Sequence, residues 1–149
     1  MKKQKEIISA INNLIETLKD GQEGFKQAAE GVKDPQLKAL FNDYSHQRSR
    51  FATQLQSQAQ SLGEPEPETS STATGALHRA WINLKSAVTR GDDHAILAEC
   101  ERGEDSAVEA YREAVDSNLS TPVRDIVSRQ YAEIKNAHDR IKHLRDTTK

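Results

Sequence analysis

Apolar residues recur at three- and four-residue steps through four windows of roughly 25 residues, the signature of amphipathic helices with one buried stripe each. The first run, over 6–32, is Ile7, Ile8, Ile11, Leu14, Ile15, Leu18, Phe25, Ala29 and Val32. Gly31 and Asp34-Pro35 close it, and Asp34 as N-cap with Pro35 as first helical residue opens the next. The second stripe is Leu37, Leu40, Tyr44, Phe51, Leu55 and Leu62, stopped by Gly63. A third long helix is predicted over 93–118, with Leu97, Val108, Tyr111 and Val115 inward. A fourth is predicted over 122–146, with Val123, Val127, Ile134, Ile141 and Leu144 inward and Ser120-Thr121-Pro122 as its start signal. No segment alternates with the period of a strand.

The connections set the topology. Short turns join the first pair of long helices and the last pair. Between the pairs lies GEPEPETSSTAT, 63–74, whose prolines and small polar residues bury little and read as a linker. A shorter helix follows over 75–90, with Leu77, Trp81, Leu84, Ala87 and Val88 on one side, before Gly91-Asp92-Asp93 breaks the chain. The expected fold is all-α: a single domain, 1–149, of two helical hairpins joined by one long crossover that carries a short extra helix.

Composition narrows the function. With 35% hydrophobic and 30% charged residues over 149 positions, no apolar run approaches the roughly 20 residues of a membrane span. A net charge of −2 argues against a general nucleic-acid binder, and one cysteine excludes an internal disulfide framework. The start, MKKQKEIISA, leads into an amphipathic pattern without a continuous apolar core, so no signal peptide and a cytoplasmic location are expected.

Four segments, INNLIETLKDGQEGF, LFNDYSHQRSRF, CERGEDSAVEAYREA and AHDRIKHLRD, resemble a bacterial ferritin-like family of unknown function. The resemblance implies a ferritin-like four-helix bundle and a stress-associated protein. Functional members of that superfamily hold two iron or manganese ions with a Glu on each of two helices and Glu-x-x-His on the other two. In the frame of the resemblance, the first helix offers Leu18 at the ligand position, the second Tyr44 and Gln47, the third Glu104, and the fourth Lys135 and His138. Asp43-Tyr44-Ser45-His46 has metal-motif spacing, but at about 100° per residue its ends diverge from the stripe and read as a solvated face. Only Glu104 and His138 remain as metal candidates, too few for a di-metal site.

Glu104 on an apolar stripe needs a partner. Arg48, one turn from Tyr44, is the permanent cation on a facing stripe, and its fork matches a carboxylate. A core polar network of Arg48, Glu104, His138, Tyr44 and Gln47 is therefore expected, with Arg48 in place of a metal. Cys100 reads as a small buried residue and Trp81 as the anchor of the crossover helix. The expected function is a non-enzymatic bundle without cofactor, acting through a protein partner or self-association. The alternative is a di-iron or di-manganese oxidase or store, and a third reading is a binding pocket beside the crossover.

Overall fold

The computed structural model describes residues 2–63, 81 and 83–148, with side chains from Lys5 onward. Helix α1 spans Lys2–Gly31, α2 Pro35–Ser61, α3 Leu84–Arg90, α4 Asp93–Val115 and α5 Thr121–Thr147. The described residues form an all-α bundle without strands. No helix among them is long and apolar enough to cross a membrane.

The helix ends follow the local chemistry. Asp34 caps α2 by accepting from Gln36 N at 2.8 Å, and Pro35 follows it. Gly91, at φ +66°, ends α3 in the left-handed region, and Asp92 then caps α4 through His94 N at 3.0 Å. The Asp93 carboxylate accepts from Lys33 N and Asp34 N at 2.9 and 3.1 Å, tying the α1–α2 turn to the start of α4. At the other hairpin, Arg124 donates to Val115 O and Ser117 O, both at 3.0 Å. Ser120 is the N-cap residue of α5, and its side chain makes no capping bond.

Two apolar clusters show how the helices run. One joins Ile7–Leu18 of α1 to Ala52–Ala59 of α2, Ala107–Ala114 of α4 and Val123–Ile134 of α5. The other joins Phe25–Val32 to Leu37–Phe41, Leu84 and Ala87 of α3, Ile96–Cys100, and Ile141. So α2 and α4 run in the same direction, opposite to α1 and α5. The chain between them must cross from one end of the bundle to the other, as expected for one long crossover. The predicted linker 63–74, except Gly63, lies outside the described residues, as do 75–80 of the predicted short helix. Its described helical part is confined to Leu84–Arg90, and Trp81 sits in a turn ahead of it.

Two stripes are rotated from expectation. On α2 the buried line is Leu37, Phe41, Ser45, Arg48, Ala52, Leu55 and Ala59, leaving Leu40, Tyr44 and Phe51 at its edge. On α4 it is Ile96, Leu97, Cys100, Glu104, Ala107, Tyr111 and Ala114, with Val108 and Val115 at the edge. Ala52, Ala59, Ala107 and Ala114 are buried within these lines, while the larger Leu40, Phe51, Val108 and Val115 stand at the edge.

Trp81 packs against two glycines. A Cβ on Gly24 of α1 would lie 2.4 Å from Trp81 Cε3, and one on Gly103 of α4 would lie 2.1 Å from Cε2. The indole occupies a notch that two glycines open between these helices, edge-on to Phe25 with centroids 5.3 Å apart. Gly31 receives Val88 of α3 in the same way.

Candidate functional site

Between the two apolar clusters lies a polar layer. Arg48 and Glu104 are 1% and 0% exposed, so neither charge has water to solvate it. They meet as a bidentate pair: Nη2 donates to Oε2 at 2.7 Å, and Nη1 donates to Oε1. This is the fork geometry that makes arginine the preferred buried partner of a carboxylate. Burial opposes the guanidinium charge, but the adjacent Glu104 carboxylate outweighs it and holds Arg48 above its usual pKa. Gly21 of α1 lies beside the guanidinium, where a Cβ would make ordinary van der Waals contact at 3.5 Å from Nη1. The Phe25 ring lies under Arg48 Cζ with 5.1 Å to the centroid, a cation–π contact.

The remaining members of the expected network divide. Gln47 joins it, accepting from Arg48 Nε at 3.2 Å through Oε1. Tyr44 lies beside it without hydrogen-bonding the pair: half-buried, it packs on Phe25 at 5.4 Å between centroids, and burial raises its phenol pKa. His138 does not share Glu104. It is half-buried at the α4–α5 seam, with Nε2 2.6 Å from Asp105 Oδ1 and Nδ1 3.1 Å from Asp139 Oδ1. The cause is rotation. Ile134, Ala137 and Ile141 fill the inward face of α5, which turns the neighbouring His138 toward the edge.

The carboxylate's surroundings are sealed rather than reactive. Cys100 is fully buried, and burial pushes its thiol well above the ordinary value, away from the thiolate a nucleophile needs. Burial likewise raises the Tyr111 phenol, whose OH donates to Gln130 Oε1 at 2.7 Å. Gln130, 2% exposed, passes its own donors to Phe51 O at 3.3 Å and Gln54 Oε1 at 2.9 Å, bridging α5 to α2. Beside this bridge a groove of about 630 Å³ opens between α2 and α5. Phe51 and Ile126 supply apolar wall, and Gln54, Gln58, Arg129 and Glu133 supply polar rim.

Glu101 and Asp105 were not anticipated. Glu101 is 7% exposed, and its Oε2 makes an ion pair with Arg145 Nη1 but no hydrogen bond. Their spacing of four on α4 is visible in the sequence, but their approach to His138 depends on how α5 is turned against α4.

A central carboxylate clamped by arginine, in an antiparallel bundle with one long crossover, defines a structural class rather than a reaction. Within it, the chain belongs to the family described as Domain of unknown function (DUF2383), whose model matches residues 6–117. That match runs from α1 past the end of α4 and stops short of α5. No curated protein matches the chain.

Proposed function

We propose that this chain is a ferritin-like bundle that has exchanged a metal centre for an internal ion pair, and that it works through protein contact or self-assembly rather than catalysis. One observation carries the reading: Glu104, the carboxylate best placed to hold a central ion, spends both oxygens on Arg48. The other positions of the expected ligand frame support it. Leu18 is apolar and in the core, Gln47 is engaged by Arg48, and Lys135 is exposed. The groove between α2 and α5 offers a contact surface with mixed lining suited to a polypeptide. The sequence resemblance supports a bacterial, stress-associated setting, and the amphipathic start of the chain supports a cytoplasmic one.

The test is iron chemistry on the full chain. The expected result is no acceleration of Fe(II) oxidation by air over a buffer blank. Two ions bound per chain and lost in Glu104→Gln would replace this reading with the di-iron or di-manganese one. For the contact surface, sedimentation equilibrium of the wild type and Ile126→Glu should show self-association weakened by the substitution. Wherever the wild type stays monomeric, a second protein is the required partner.

A further inference from the structure

We propose that Glu101, Asp105 and His138 form a mononuclear site for a divalent transition ion, zinc by its donor set, at the α4–α5 seam. Glu101 and Asp105 are four residues apart, so they stack on one face of α4. His138 reaches them from α5, and one ligand atom from each of the three lies within 4.8 Å of the others. Two carboxylate oxygens and one imidazole nitrogen suit zinc, and Asp105 leaves the seam open to solvent for a fourth ligand. Tetrahedral zinc needs donors about 3.4 Å apart. Asp105 and His138, now in hydrogen-bond contact, would separate slightly while Glu101 closes in.

A second observation points to a ligand. Asp139 holds one nitrogen of His138, Nδ1 at 3.1 Å, while Nε2 lies 2.6 Å from Asp105 Oδ1, in the cluster that Glu101 completes. A carboxylate on one imidazole nitrogen with the other aimed at a cluster of oxygens is the outer-shell arrangement of histidine–metal sites. The Arg145 guanidinium covers the position, in ion-pair contact with Glu101 Oε2. Arg145 has somewhere to go. It already donates to Asp146 Oδ1 from Nη2 at 2.8 Å and from Nε at 3.2 Å. An incoming ion would displace it from Glu101 while its pairing with Asp146 remains.

The position is distinct from the core. Glu104 faces Arg48, and no atom of the core pair takes part. The site therefore stands or falls independently of the proposed loss of a central metal.

The experiment is titration of the chelator-stripped full chain with zinc by calorimetry, and with cobalt(II) by visible absorption. The expected result is one ion per chain with the intense bands of tetrahedral cobalt. His138→Gln and Asp105→Asn, both at solvent-accessible positions, should each weaken binding at least about tenfold with helix content intact. Arg145→Gln should tighten it, because a competing positive charge is gone. The proposal is overturned by absence of saturable zinc binding, or by binding that survives His138→Gln and so belongs to another histidine. Calcium binding as tightly as zinc, or weaker zinc binding in Arg145→Gln, would overturn it equally.

Discussion

At the scale of single residues, Arg48 and Glu104 depend on each other. Each is an ion that the bundle removes from water, tolerable only because the partner satisfies it. Glu104→Leu leaves a buried guanidinium, and Arg48→Met leaves a buried carboxylate. Each single change should lower unfolding free energy by about 3–5 kcal/mol in urea titrations. His138 behaves differently because it is half-buried and titratable. Burial opposes its charge, but hydrogen bonds to Asp139 and Asp105 outweigh it and raise its pKa above 6.5. A folded pKa above the unfolded one stabilises the protein fully below the unfolded value, and that stability is lost as pH rises through the folded value. In chelator, urea midpoints should therefore fall as pH rises from below 6.5 through the folded pKa of His138. His138→Gln should flatten that segment, and an unchanged slope would assign it to other groups.

At the scale of the element, the crossover is held by absence of side chain. Gly24 and Gly103 sit inside helices, where each costs about 1 kcal/mol relative to alanine, and the Trp81 indole fills the space they leave. Gly103→Ala should therefore destabilise by about 1–3 kcal/mol through overpacking and shift tryptophan emission to the red as the indole is expelled. In a Trp81→Ala background, itself about 3 kcal/mol less stable, the same Gly103→Ala should become stabilising by about 1 kcal/mol. A loss of equal size in both backgrounds would place the strain elsewhere. What the sequence made legible follows the same division. Asp34-Pro35 and Gly91-Asp92 mark helix ends through chemistry confined to a few residues, so they could be read directly. The Arg48–Glu104 pair was legible because two opposite charges on apolar stripes have few other solutions. The stripes of α2 and α4 were displaced because Ala52, Ala59, Ala107 and Ala114 have little hydrophobic weight yet are buried in the core. His138 stood out as a metal candidate, but its meeting with Glu101 and Asp105 escaped notice because it depends on the rotation of α5 about its own axis, which only packing decides.

At the scale of the molecule, the two apolar clusters are stacked end to end with the Arg48–Glu104 layer between them. Leu, Ile and Ala on four long helices pack against one another with little preference for one register over the next. A charge pair satisfied in only one alignment supplies that preference. Sliding α2 by one turn, about 5.4 Å, would bury both ions unpaired. Stability and specificity should then separate in the double variant Arg48→Met, Glu104→Leu. Removing both charges together should recover most of the loss seen in either single change, since no ion is left stranded. The same variant should lose the device that selects one register. Its helical circular dichroism should match the wild type, while amide resonances around Gly21 and Gly103, the positions flanking the layer on α1 and α4, broaden or double. A double variant that keeps one sharp set of resonances would mean that side-chain packing, with the Trp81 notch as its key, sets the register unaided.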